Sequence, residues 1–412
     1  MQNKSRKYNN ITILISSFAI LFGMISCTSD ESELTTVNNQ STENDDGNVV
    51  LGNEDPVSIL SNYFNETLNL ERLQNYENQI VPNYIIKDNT GDNEITNAKA
   101  TLGRVLFYDK KLSSNNTISC ASCHKQAFAF GDTDIVSQGV NGTTGRHSMR
   151  LINTRFSDEV RFFWDERAVS LEGQTTQPIQ DHLEMGFSGL DGAPSLNDLI
   201  LKLNALDYYQ ELVNFAYGDM VITENRIQES LAQFIRSIQS FDSKYDRGRA
   251  NAVNEGQDFS NFTTQENLGK QLFLSPPNMG GVGCAGCHRV PEFDIDPNSR
   301  NNGVIGVFGT NEIDVSVTRA PTLRDIFNAS GTLNGALMHD ASKTTMRQVL
   351  EHYNAIDPTG NTDLDRRLRG GPGENGQRLN LSDDQMLALE AFIKTLSGSD
   401  VYTNEKWSDP FL

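Results

Sequence analysis

Cys120-Ala121-Ser122-Cys123-His124 and Cys284-Ala285-Gly286-Cys287-His288 are two copies of one pentapeptide, and their surroundings repeat as well. Leu102-Gly103-Arg104 then Leu106-Phe107 precedes the first copy, and Leu268-Gly269-Lys270 then Leu272-Phe273 precedes the second. Self-similarity on this scale implies two homologous modules. Each reads as a short helix carrying the Leu-Phe pair, then a polar or Gly/Pro loop, then the cysteine motif. The loop Ser275 to Gly283 is the clearer of the two. Between the motifs, Ile227, Leu231, Phe234, Ile235, Ile238, Phe241 and Tyr245 recur at helical spacing behind Thr223, a suitable N-cap, and predict one long amphipathic helix. Its polar end, Asp246 to Asp258, is the candidate boundary between modules. A further helix follows Met346, Val349, Leu350 and Tyr353. Another begins at Ser382 with Gln385 three residues on, a capping box, and runs through Met386, Leu389, Phe392, Ile393 and Leu396. No run of alternating strands is present.

At 412 residues the chain exceeds the size, about 250 to 300 residues, at which a single core stops growing. Two compact units behind a leader are expected. Lys4, Arg6 and Lys7 precede an uncharged apolar run from Ile11 to Ile25, and Ser26 leads into Cys27. That order reads as a secretory signal of lipoprotein type over residues 1–26, with cleavage before a lipidated Cys27. A plain signal peptide or a retained anchor helix is the alternative. Residues 27–60 form an acidic tether: from Thr28 to Pro56 there are eight acidic residues, no Lys or Arg, and few large apolar groups. The net charge of −20 speaks against nucleic acid as a partner. Residues 61–250 and 251–412 then make up the two modules.

Five cysteines are present, and setting Cys27 aside leaves two pairs with none left over. In an exported protein a pair is usually a disulfide. Here a histidine follows each pair at once, which is the c-type haem attachment pattern. Two thiols bond the porphyrin vinyl groups while the adjacent imidazole ligates iron, so the three residues are needed together. Zinc is the weaker reading, because a structural site wants four ligands and each motif offers three. The fold class is therefore mainly α, with two cytochrome c-like haem domains and long irregular loops.

Phe163-Trp164-Asp165-Glu166-Arg167-Ala168, then Gln174, Pro178 and Glu184-Met185, resembles the signature of the bacterial di-haem cytochrome c peroxidases and the related MauG-type enzymes. With the haem motifs and Ala320-Pro321-Thr322-Leu323-Arg324, the resemblance covers nearly everything from about residue 75 to residue 400. It implies an oxidoreductase with a peroxidatic haem on His124, Glu184 as distal acid/base, Gln174 as its polar neighbour and Trp164 as the aromatic between the haems. These roles suit the chemistry. A carboxylate in a dry pocket can take a proton from bound peroxide and return it to the departing oxygen, and an indole can relay electrons. Leu337-Met338-His339-Asp340 resembles the family's Tyr-Met-His-Asp-Gly segment, and counting on from it places the second haem's sixth ligand at Tyr353, with Met338 and His352 as competitors. Cytochrome c peroxidases usually carry Met there and MauG-type enzymes Tyr. At the family's calcium position, His147 stands where an Asn ligand is common, and Asn334-Gly335-Ala336 replaces Thr-X-Pro. Backbone carbonyls survive that change, so calcium stays a candidate cofactor with its side-chain ligand altered; His147 is alternatively a movable distal ligand or a satisfied histidine.

These expectations describe a peroxidase of the cell envelope or periplasm, lipid-anchored to a membrane. It would reduce hydrogen peroxide with electrons passed from a cytochrome c or copper protein to the His288 haem. A homodimer is one assembly the resemblance allows. The rivals are a MauG-like oxidase acting on a protein or organic substrate, and a non-enzymatic di-haem electron carrier with both irons six-coordinate.

Overall fold

The computed structural model describes residues 59–370 and 375–412. The signal segment, Cys27 and all of the tether before Ile59 lie outside the described residues. Leu60 does not behave as tether: it is buried in the turn Ile59–Asn62 and belongs to the first apolar core. The expected irregularity is present. Helices are joined by long loops, and the only paired strands among the described residues are His288–Arg289 with Asp294–Ile295, antiparallel.

Among the described residues two large cores form, each around one helix crossing, beside a small third cluster of Ile356, Leu364 and Leu368. The repeated Leu-Gly sequence explains both. Helix Asn97–Tyr108 packs on helix Glu224–Ser237, and helix Thr264–Leu274 packs on helix Asp383–Lys394. At the first crossing a Cβ on Gly103 would lie 1.9 Å from the Ser230 carbonyl oxygen. At the second, a Cβ on Gly269 would lie 1.9 Å from that of Ala388. Only glycine lets the backbones approach so closely. The Leu-Phe pairs then bury their side chains: Leu106 and Phe107 are fully covered in the first core, Phe273 in the second.

The next residue of each repeat, Arg104 or Lys270, is buried and spends its cation on backbone carbonyls. Arg104 donates to Ser408 O at 2.6 Å and Thr67 O at 3.2 Å, and Lys270 Nζ to Glu255 O at 2.7 Å. Through Arg104 the C-terminal segment is drawn onto the first core. Trp407 is buried there, Tyr108 Oη donates to its carbonyl at 2.6 Å, and Tyr76 Oη donates to Lys406 O at 2.6 Å. The last residues of the 251–412 half thus pack with the first core.

Thr223 caps its helix as expected, with its side chain accepting from Arg226 N, but the helix ends at Ser237 instead of running to Tyr245. Hydrogen bonds from elsewhere claim the backbone beyond that point. Asn153 N donates to Ile238 O at 2.9 Å, and Asn153 Oδ1 accepts from Ser240 N at 2.8 Å. A new helix, Lys244–Arg249, starts behind a Ser243–Asp246 capping box. Asp246 is buried with Arg324 at 2.9 Å, so the expected polar boundary begins with a core ion pair. The helices Met346–Asn354 and Asp383–Lys394 start where their caps, Thr345 and Ser382, place them.

Gly103→Ala should cost about 2 kcal/mol or more, the scale of forcing an extra methyl into a packed interior. Gly269→Ala should cost a similar amount. Denaturant unfolding of each variant against wild type checks both.

Candidate haem sites

Each pentapeptide opens a short turn of helix that aims its side chains into a cavity. Cys120–Cys123 is one such turn, and Ser119 N donates to Ser122 Oγ at 3.0 Å to fix its start. His124 follows as its C-cap, with its N–H on Cys120 O at 2.9 Å. The chain then turns back through Ala129 and Phe130, at φ 55° and 57°, which brings the Phe130 carbonyl to 3.3 Å from His124 Nδ1. Burial holds this imidazole below its ordinary pKa, so it is neutral. With Nδ1–H spent on a carbonyl, Nε2 carries the free lone pair a metal needs.

Cys120, Cys123 and His124 line one cavity together with Gln174, Thr175, Pro178, Glu184 and Met185. The elements that hold Glu184 are tightly packed. Val140 N donates to Glu184 O at 2.9 Å, and a Cβ on Gly139 would lie 2.1 Å from Leu183 O. Gln174 comes from the short helix Leu171–Thr175, capped by Ser170. Burial raises the Glu184 carboxyl to about 7, with Asp181 adding to the shift and Arg167 opposing it. A group at that value exists in both protonation states near neutrality and can both take and give a proton.

The second cavity, about 440 Å³, is lined by Cys284, Cys287, His288, Trp164, Met338 and Tyr353 among others, and falls in the usual size range for cofactor sites. The first encloses about 60 Å³. His288 is held down to about 4 by burial and the nearby Arg367, and its Nδ1 is buried without a partner. Arg150, Arg300, Arg319 and Arg367 also line this cavity. Burial lowers Arg150 and Arg319 to about 10, and the Nε of each is buried and unpartnered. Desolvated cations of this kind suit the two carboxylates that a haem carries. Sequence reasoning missed these arginines, although Arg319 directly precedes the Ala320–Arg324 segment it singled out.

All four cysteines are free, and burial raises Cys120 and Cys284 to about 12 and Cys123 to about 11. Zinc requires thiolates and four ligands. Among the described residues no group of three or more His, Cys, Asp or Glu could hold a metal ion. The donor sets fit haem.

Trp164 lines the second cavity and not the first. Its Nε1 donates to His147 O at 2.8 Å, and its ring meets His339 edge-on with centroids 6.2 Å apart. His147 is the start of a strap shared by the two sites: His147 to Arg150 lines the second cavity, while the Met149 backbone acts on the His124 imidazole. The His147 side chain is occupied by the carbonyls of Asp134 and Ile135, at 2.9 and 3.2 Å. Of the competitors at the second site, His352 is engaged with Asn302 O at 2.9 Å, whereas Met338 and Tyr353 both reach the cavity. Asn302, which no sequence signal marked, donates its Nδ2 toward Tyr353 Oη at 3.3 Å and Met338 Sδ at 3.4 Å.

Two thiol and imidazole sets, each opening into its own cavity in a mainly helical chain, define a di-haem protein of c type. Residues 97–254 match the family described as di-haem cytochrome c peroxidase. The chain is 28% identical over 319 residues to the methylamine utilization protein MauG of Methylophilus methylotrophus, covering 74% of this chain and 84% of that one. It is 28% identical over 315 residues to the cytochrome c551 peroxidase of Nitrosomonas europaea, covering 73% and 80%. Among solved structures, a MauG-like protein associated with microbial copper homeostasis superposes with a TM-score of 0.62 at 25% identity, over 81% of this chain and 99% of that one. Over residues 97–254 the chain carries the di-haem cytochrome c peroxidase domain, and along about three quarters of its length it is similar both to MauG proteins and to a cytochrome c peroxidase.

Trp164→Phe keeps an aromatic ring but strands the His147 carbonyl. It should cost about 1 kcal/mol in denaturant unfolding, the usual net value of one hydrogen bond.

Proposed function

We propose that this chain reduces hydrogen peroxide to water at the His124 site, with electrons delivered through the His288 site by a small redox protein such as a cytochrome c or a copper protein. The observation that carries this reading is Glu184: a buried carboxyl raised to about 7 that shares one cavity with the first cysteine-histidine motif. Haem iron, when bound, supplies the redox chemistry for splitting the O–O bond, and an open face on one iron is what peroxide requires. Cys120 and Cys123 would tether that haem and His124 would ligate it from one side; Cys284, Cys287 and His288 would do the same at the second site.

Glu184 takes the proton from peroxide and returns it to the leaving oxygen, so a single carboxyl serves both halves of the transfer. Gln174, in the same cavity, supplies a neutral amide that can orient peroxide without competing for the proton. Trp164 and the His147–Arg150 strap form the covalent and hydrogen-bonded route from the second site toward His124. At the second site Tyr353 is the proposed sixth ligand, with Met338 beside it on the same Asn302 amide. Cys27 would anchor the exported protein to a membrane through lipid; among the described residues no helix is long and apolar enough to cross one. Calcium has carbonyls available near Asn334-Gly335-Ala336, but His147 is already spent on Asp134 and Ile135.

Tyr353 favours a second reading, an oxidase of MauG type that uses the same site on a protein or organic substrate. An anionic phenolate lowers the haem potential where Met raises it, which makes the second haem a poorer electron acceptor.

Glu184→Gln should lower peroxide turnover by at least about 100-fold with both haems retained. In the wild type kcat/KM should rise with pH through about 7, because the base is the ionised form and its carboxyl is held above its ordinary value. The glutamine variant should lose that limb. Stability runs the other way: the folded state is penalised as pH climbs from the ordinary value of 4.5 through about 7, and the variant should escape the penalty. Steady-state assays and urea unfolding across pH measure both effects.

Tyr353→Phe should shift the spectrum and midpoint potential of one haem only. If both are unchanged, Tyr353 is not a ligand and the oxidase reading loses its motive.

A further inference from the structure

In the first core lies a ladder of tyrosines that the peroxide chemistry does not use. The rings of Tyr209 and Tyr208 meet at a tilt of 36° with centroids 4.6 Å apart, and those of Tyr208 and Tyr63 at 47° with centroids 4.7 Å apart. Tyr208 and Tyr209 are fully buried, whereas Tyr63 is half-buried and opens to solvent. Every rung has a carboxylate for its phenol proton. Tyr209 and Tyr208 both donate to Asp109 Oδ2, at 2.9 and 2.7 Å, and Tyr63 donates to Asp207 Oδ2 at 3.3 Å. Lys111 Nζ clamps the middle of the ladder, donating to Tyr208 Oη at 3.1 Å and lying 5.8 Å from the Tyr63 ring centre.

The inner end adjoins the first haem motif. Asp109, which accepts from both Tyr209 and Tyr208, lies two residues beyond Phe107, and Phe107 lines the first cavity with Cys120 and His124. Each hydroxyl of the ladder has a carboxylate partner, whereas the buried hydroxyl of Tyr245 in the second core has none.

We infer that Tyr209, Tyr208 and Tyr63 relay single oxidising equivalents from the first haem site to the surface, so that the protein oxidises phenolic molecules at Tyr63 without admitting them to the cavity. This rests on the reading that peroxide is reduced at the His124 site. Peroxide takes up two electrons and two protons, its O–O bond breaks, and two waters form. Each electron leaves Tyr209 as its phenol proton moves to Asp109; Tyr208 refills Tyr209 while Asp109 returns that proton and takes the one from Tyr208, and Tyr63 refills Tyr208 while Asp109 returns its proton and Tyr63's own moves to Asp207. An outside phenol then gives its electron to Tyr63, Asp207 returns the proton to Tyr63, and the phenol releases its own proton to solvent and becomes a phenoxyl radical. Two phenols are consumed per peroxide, and the two protons they release balance those taken up. The carboxylates make the steps feasible, because a phenol is far easier to oxidise when its proton has an acceptor in place.

The test uses the haem-loaded full chain, hydrogen peroxide and a dextran carrying pendant phenols, too bulky for the cavity. Wild type should give a tyrosyl radical signal in freeze-quenched electron paramagnetic resonance and should oxidise the dextran phenols. Tyr208→Phe and Tyr63→Phe should each lower dextran oxidation by about tenfold or more, with peroxide consumption by reduced cytochrome c unchanged. Tyr63→Trp, another oxidisable ring, should restore it. Tyr63 is the safer variant for folding because it is only half-buried. If wild type consumes peroxide with reduced cytochrome c but both phenylalanine variants oxidise the dextran at the wild-type rate, the ladder is overturned and the peroxidase reading stands. If wild type consumes no peroxide with either donor, both fall.

Discussion

Two helix crossings, each closed by a glycine lying against a carbonyl of the partner helix, are the constraint on which the remaining structure depends. Gly103 against Ser230 and Gly269 against Ala388 bring the backbones together and leave Leu106 and Phe107, or Leu272 and Phe273, to fill the core. The cysteine turn that follows each crossing is seated on this core. Cys120 and Ala121 pack against the first, and Cys284 and Ala285 against the second. The position of each imidazole is thereby inherited from a backbone contact several turns away.

Desolvation then differentiates two sites that share a donor set. Burial keeps both histidines neutral and all four thiols protonated, so each site is prepared for a cofactor and unsuited to a thiolate metal. In the first cavity the single carboxyl, Glu184, is held at a value where it exchanges protons. In the second, arginines, a phenol and a thioether face the motif, with Asn302 between the phenol and the thioether. One cavity is equipped to move protons. The other offers cations and two candidate ligands, and the proposed reaction would divide its proton and electron steps between them.

The halves are also tied together by more than the chain between them. The Arg324–Asp246 pair is buried, the Trp164 carbonyl accepts from Thr318 and Arg319, and the C-terminal Trp407 packs into the first core. Breaking a buried pair of this kind leaves an uncompensated charge, so such links fix the relative placement of the segments they join.

The sequence by itself determined the donor sets, the internal repeat and the helix starts, because these rest on local rules. Haem attachment needs Cys-X-X-Cys-His in one stretch, a cap needs Ser or Thr beside the first turn, and a core helix needs its apolar period. The joint spacing of Trp164, Gln174 and Glu184 was legible only through resemblance to a family, since a lone Glu or Trp has a commoner bland explanation. Tertiary structure alone decided where the helix after Thr223 stops, since Asn153 takes up the backbone that periodicity had assigned to it. It alone put Trp164 on the wall of the second cavity, gathered the four arginines there, set Asn302 between Met338 and Tyr353, and brought Tyr63 against Tyr208. Those partners are far apart in the chain, and each contact depends on several loops closing at once, so no local pattern records it.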